Sequence, residues 1–144
     1  MRTFSAALGV TMMFSSVLSA QQGGVSYEHL VRASEDPGNW LMHSGQYHSQ
    51  RFSSLDEINR ANVSRLRLKW VRQLPTLGQV QTSPLVVDGV MYLTTPENEV
   101  YALDASTGNV FWTYQHDLSD TLTLCCSKQS RGVGILGDQL YLTT

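Results

Sequence analysis

The 144-residue sequence predicts an all-β fold of β-propeller type. Two observations predict it. Four short β-rich segments alternate with tight-turn residues between positions 80 and 114, and part of that pattern recurs before position 144. A third observation narrows the class. The chain is 42% hydrophobic and 15% charged, with a formal net charge of −2, against roughly 25% charged residues in an average soluble domain. No extended apolar run suits a membrane bundle. No run of like charges suits nucleic acid or anionic lipid, so neither partner is expected.

The elements follow in chain order. Residues 1–20 read as a secretory signal peptide: Arg2 is the one charge, Phe4 to Leu18 is mostly apolar, and Ser19-Ala20 offers a small-residue cleavage site. An uncleaved N-terminal anchor is the alternative, although the stretch is short for a bilayer-spanning helix. With the signal removed, no integral membrane segment is expected, and export implies a periplasmic or extracellular site.

Residues 21–78 form a leader with short helices and one strand. Ser26 to Ser34 is a helix candidate, and Asp36-Pro37-Gly38-Asn39 stops it. Ser54-Leu55-Asp56-Glu57 fits a capping box that opens a second short helix. Asn62 can cap a further turn ending near Leu66. From Leu66 to Val71, Leu66, Leu68 and Trp70 alternate with Arg67, Lys69 and Val71, which predicts a strand with one buried face.

Residues 79–144 change character. Val80 to Val87 is β-rich, Asp88-Gly89 signals a two-residue hairpin, and Val90 to Thr95 returns. Pro96-Glu97-Asn98 turns again before a third strand, Val100 to Leu103. Asp104 to Gly108 makes the third turn, before a fourth strand from Val110 to Tyr114. Such a meander is one propeller blade in outline. Tyr92-Leu93-Thr94-Thr95 then recurs 49 positions later as Tyr141-Leu142-Thr143-Thr144, with Gly137-Asp138 where Asp88-Gly89 stood. This is a blade-length period. It leaves about one and a half blades, so the sequence is expected to be the N-terminal fragment of a longer protein. A small sandwich covered by the leader is the alternative.

Residues 102–112, ALDASTGNVFW, fit A-x-D-A-x-T-G-x-x-x-W. Asp104 and Thr107 can cap the turn, Gly108 supplies a positive φ, and Trp112 packs across a blade face. The segment resembles the tryptophan-docking motif of the quinoprotein dehydrogenases, which use pyrroloquinoline quinone (PQQ). Trp40, Gly45, Tyr47, Arg51, Phe52 and the residues on to Leu66 are similar to the leader of the alcohol-oxidising branch. SPLVVDGVMY, residues 83–92, is similar to its first blade. Cys125-Cys126 followed by Arg131-Gly132 resembles its vicinal cysteines and cofactor arginine. The family fold is an eight-bladed propeller.

The resemblance implies a disulfide between Cys125 and Cys126, lying against the quinone plane. Neighbouring cysteines need not bond, since successive side chains of a strand point to opposite faces. Two buried free thiols are the alternative, and the exported context favours the bond. Arg131, by resemblance, donates to the reactive quinone oxygens; a surface arginine is the bland reading. Gln81 stands three residues before Pro84, where the family places a cofactor-holding glutamate. Glutamine keeps the size and one acceptor but loses the charge and adds a donor. Thr82 and Ser83 are weaker candidates. His43, His48 and His116 have no metal-ligand spacing, and Asp117 and Asp120 read as turn carboxylates.

The implied function is the N-terminal part of a periplasmic PQQ-dependent alcohol dehydrogenase. It would pass hydride from a small alcohol to PQQ and electrons on to a cytochrome c. The Ca²⁺ or lanthanide ligands and the aspartate base would lie beyond residue 144. No catalytic residue falls in this stretch, which is expected to be inactive alone. The competing reading is a cofactor-free propeller scaffold that binds envelope proteins. Gln81 favours it, and the paired cysteines with Arg131 oppose it.

Overall fold

The computed structural model describes residues 24–117, 119 and 128–143. Six antiparallel strands form two sheets. β1 (Leu85–Val87), β2 (Val90–Thr94), β3 (Glu99–Asp104) and β4 (Val110–Gln115) pair in chain order, and β5 (Val133–Leu136) pairs with β6 (Gln139–Leu142). The expected all-β meander and its half-repeat are both present. The expected signal peptide lies outside the described residues.

Turn chemistry explains the strand ends. Asp88 (φ 49°) and Gly89 (φ 80°) both take the left-handed conformation that a two-residue hairpin with the right twist requires. The β3–β4 turn is held by its own side chain. Asp104 Oδ1 accepts from the Ser106 N–H and hydroxyl, both at 2.7 Å, and from the Thr107 N–H at 3.2 Å. The bonds from Ser106, the largest influence, hold the Asp104 carboxyl below the usual range. Thr107 Oγ1 accepts from the Asn109 N–H. β1 begins only at Leu85, because Pro84 has no N–H to extend the ladder.

Register arranges the two faces. Tyr92, Ala102 and Trp112 lie opposite one another in successive strands. Ala102 is fully buried and small, so the Tyr92 and Trp112 rings meet over it at 6.0 Å, tilted by 46°. Trp112 therefore packs across the sheet as expected, yet remains 43% exposed. On the opposite face Leu93, Tyr101 and Leu103 form a cluster with Leu74, Met91 and Val110. A groove of about 710 Å³ separates the sheet from the β5–β6 hairpin; Val100, Trp112, Tyr114, Val133 and Leu142 line it.

The leader departs from expectation in two places. No helix follows Ser54. Instead Ser53 Oγ accepts from the Leu55 N–H, and Asn59 and Asn62 tie the loop through their own amides. Asn62 precedes a 3₁₀ turn, Val63–Arg65, without capping it, because its side chain reaches back to the Asn59 N–H and the Glu57 carbonyl. Short polar side chains here compete with helical bonding. Residues 66–71 are not a strand: they find no ladder partner among the described residues, and Leu68 is 81% exposed. Trp70 alone of that run is anchored. Its Nε1–H donates to the Ala105 carbonyl at 3.1 Å, and a Cβ on Gly108 (φ 72°) would stand 2.5 Å from its ring. The motif's turn thus receives an indole, and it comes from Trp70.

The N-terminal arm carries a helix shorter than the expected Ser26 to Ser34. Helix α1 (Tyr27–Val31) is capped by Ser26, which accepts from the His29 N–H, and a 3₁₀ turn follows at Ala33–Glu35. Val25, Ala33 and Leu41 bury themselves against Val87 of β1 and Ile135 of β5. Two backbone bridges pin the arm: Trp40 with Val86, and Val25 with Gly137. Between them Asp36 accepts from Asn39 Nδ2 and His29 Nε2, each at 2.8 Å.

Two predictions follow from these contacts. Gly108→Ala forces a side chain into both a left-handed backbone and an indole ring, so it should cost at least about 1–3 kcal/mol. Trp70→Phe, which loses one hydrogen bond, should cost about 1 kcal/mol. Urea midpoints would measure both. The second concerns acid. The bond from Asn39, then that from His29, lowers the Asp36 pKa in the folded chain. Its stabilisation is complete above the ordinary aspartate range and is lost as pH falls through the lowered value. Protection factors in α1, corrected for intrinsic exchange, should fall on acidification, and Asp36→Asn should remove that dependence.

Candidate cofactor wall

The candidate site lies where the approaches to β1 and β5 meet. Gln81, Thr82, Ser83 and Pro84 lead into β1; Ser130, Arg131 and Gly132 lead into β5. The Ser83 N–H donates to the Arg131 carbonyl at 3.3 Å. Gly132 (φ 121°) lets the segments approach: a Cβ there would stand 3.2 Å from the Ser83 carbonyl oxygen and 3.5 Å from Thr82 Oγ1. Residues 50 positions apart in the chain, Gln81 and Arg131, therefore sit on adjoining segments.

Thr82 anchors this corner. Its Oγ1 accepts from the Thr94 N–H at 3.1 Å and from the Thr94 hydroxyl at 3.3 Å. The hydroxyl replaces a ladder partner just where Pro84 stops the β1 ladder. Thr94 and Thr95 are fully buried. Arg131 is exposed, Gln81 is half-buried, and Gln81 Nε2 donates to Gln79 Oε1 at 3.4 Å. Ser130 is 3% exposed, and its hydroxyl has no hydrogen-bond partner among the described residues. A buried polar group left unpaired is costly, so this hydroxyl marks a place suited to a polar ligand atom.

Of the residues singled out from sequence, Arg131 and Gln81 lie on segments joined by the Ser83 to Arg131 backbone bond. Cys125 and Cys126 lie outside the described residues. Asp104, Thr107 and Gly108 build the β3–β4 turn, away from this corner. His43 and His48 are exposed, and no group of three metal-ligating side chains occurs among the described residues.

Two residues escaped the sequence reading. Ser130 was invisible, since its burial depends on the β1 approach. Trp70 did leave a signal: Trp70 and Gln73 are matched by Trp112 and Gln115, 42 positions later, a blade-length period.

Comparison with known proteins agrees with this architecture. Residues 40–140 match the family profile described as the PQQ glucose/ethanol/alcohol dehydrogenase β-propeller domain. The chain belongs to the quinoprotein alcohol dehydrogenase family. It is 37% identical over 134 residues to the dehydrogenase subunit of alcohol dehydrogenase (quinone) from Gluconacetobacter polyoxogenes, covering 91% of this chain and 18% of that protein. It is 33% identical over 145 residues to quinohemoprotein alcohol dehydrogenase ADH-IIG of Pseudomonas putida, covering 99% of this chain and 20% of the relative. The solved structure of the latter superposes with a TM-score of 0.71 at 36% identity, over 80% of this chain and 17% of that one. A europium-containing methanol dehydrogenase superposes with a TM-score of 0.69 at 33% identity, over 81% of this chain and 21% of that one. The chain thus spans about one fifth of the length of these relatives.

PQQ is an anionic quinone rich in acceptor oxygens; the two joined segments carry a guanidinium, an amide and a buried unpaired hydroxyl, donor types that suit such a group.

Thr82→Val should leave the Thr94 N–H buried and unpaired, at about 1–3 kcal/mol. Thr82→Ser, which retains the oxygen, should recover most of that in a urea titration.

Proposed function

We propose that this chain contributes one wall of the PQQ site of a periplasmic quinoprotein that oxidises small alcohols. The observation that carries the reading is the hydrogen bond from Ser83 to the Arg131 carbonyl, which gathers the Gln81 and Arg131 segments into one corner. Family membership supports the cofactor class. PQQ, when bound, supplies the acceptor for the hydride lost by the alcohol.

The residues of this chain have the following proposed parts. Arg131 donates to the quinone oxygens, where its fixed positive fork favours the negative charge of the reduced state. Gln81 supplies an uncharged donor and acceptor in place of a carboxylate. The Ser130 hydroxyl offers a further donor. Cys125 and Cys126 form a vicinal disulfide that closes one side of the cofactor. Consecutive Cα atoms are about 3.80 Å apart, shorter than usual for a disulfide, so that ring is strained and more readily reduced.

Three further assignments belong to the same reading. Residues 1–20 direct export, residues 21–78 are a leader, and residues 79–144 begin the propeller. The Ca²⁺ or lanthanide ligands and the base are supplied from outside this sequence; the europium-containing relative supports a metal of this kind. Electrons leave to a cytochrome c.

Titration of PQQ into the purified full-length protein, followed by tryptophan fluorescence, tests the proposal. Binding is expected, and Arg131→Ala should weaken it about 10- to 100-fold, the worth of a charged hydrogen bond. A full-length protein that binds no PQQ would instead be the cofactor-free scaffold.

A further inference from the structure

We propose that the N-terminal arm is a yoke that sets the spacing between the Gln81 and Arg131 segments, with Asn39 as its positioning residue. The functional part of this inference rests on the reading that those segments flank PQQ.

β1 and β5 belong to different sheets and share no ladder. At their leading ends the Ser83 to Arg131 bond joins them. At their trailing ends each is bonded to the arm. The Trp40 N–H donates to the Val86 carbonyl at 2.8 Å, and the Val86 N–H donates to Trp40 at 2.9 Å. The Val25 N–H donates to the Gly137 carbonyl at 2.8 Å, and the Gly137 N–H donates to Val25 at 2.7 Å. The stretch between Val25 and Trp40 is held short by α1, the 3₁₀ turn and the Asp36–Asn39 turn. The arm therefore helps to set the distance between the two hairpins, beside the Ser83 bond and the direct approach of β2 to β5.

Asn39 joins the arm to the β1–β2 tip. Its Nδ2 donates to Asp36 Oδ2 at 2.8 Å and to Asp88 Oδ1 at 3.5 Å, while its Oδ1 accepts from the Asp88 N–H at 2.7 Å. One amide thus satisfies a left-handed turn residue on one side and the carboxylate that also receives His29 of α1 on the other. Asparagine suits this place because it both donates and accepts. Asn39 touches neither Gln81 nor Arg131; its effect on them passes along β1 and the arm.

Two variants loosen the yoke at opposite ends. Asn39→Ala removes both side-chain contacts to Asp88 at the β1–β2 tip and the one to Asp36 within the arm. Gly24→Ala drives a Cβ into the Gly137 carbonyl and so opens the Val25 bridge. Amide exchange of the full chain, without PQQ, reads the result. The Ser83 N–H should exchange about tenfold faster in both variants, while Ala102 and Leu103 in the central strand β3 stay protected. If the Ser83 N–H is unchanged, or if the β3 amides rise with it, the arm is not a yoke and the proposal falls.

PQQ titration supplies the second readout. Asn39→Ala should weaken binding about three- to tenfold when Arg131 is present and have little further effect in Arg131→Ala. An equal loss in both backgrounds would mark Asn39 as a general stabiliser and overturn its positioning role. If PQQ fails to bind the unaltered full-length protein, the functional reading falls, and the exchange experiment still decides whether the arm is a yoke.

Discussion

A four-stranded meander has two faces to cover and no closure of its own, and the main packing contacts among the described residues answer to that constraint. One face buries Leu93, Tyr101 and Leu103 under Leu74 of the extended leader. The other buries Leu85, Val100 and Ala102 on the side that carries Tyr92 and Trp112. The trailing ends of β1 and β5 are closed by the arm through Val25, Ala33 and Leu41. The β3–β4 turn is closed by the Trp70 indole. Each cover comes from a different stretch of chain, so the sheet acts as the frame on which the leader and second hairpin are placed.

That frame explains which elements were legible in the sequence. The hairpin at Asp88-Gly89 and the turn from Asp104 to Gly108 depend on backbone conformations that few residues tolerate, so their chemistry is written locally. The meander between them follows from alternation and turn spacing. Residues 66–71 carry the same alternation, but a strand requires a second strand, and no local signal reports whether one is at hand. Ser54 to Glu57 has the letters of a capping box. A cap stabilises a helix that packs; here Leu55 and Ile58 are largely exposed, and the asparagines at 59 and 62 bond the loop instead.

The candidate site divides along the same line. Arg131 and Gln81 were visible because their neighbours form motifs, Pro84 on one side and Gly132 on the other. Their convergence was not visible, since it depends on a hydrogen bond between segments distant in the chain. Ser130 was hidden for the same reason. Thr82 looked like one hydroxyl among several, and only the structure gives it the Thr94 N–H to hold. Side chains that complete another strand's hydrogen bonding leave no periodic trace.

Glutamine at position 81, where the family resemblance implies glutamate, bears on charge. Among the described residues Arg131 makes no ion pair, and Gln81 brings no carboxylate to the corner. A glutamate there would compete with an anionic ligand for the guanidinium and would also repel ligand carboxylates. Glutamine avoids both effects but gives up a strong acceptor for donors on the ligand. Under the proposed reading, anion binding at this corner therefore leans more heavily on Arg131, whose position depends on the Ser83 bond. A cofactor held by fewer charges needs those charges better fixed, which is why the spacing imposed by the arm matters more here than it would beside a glutamate.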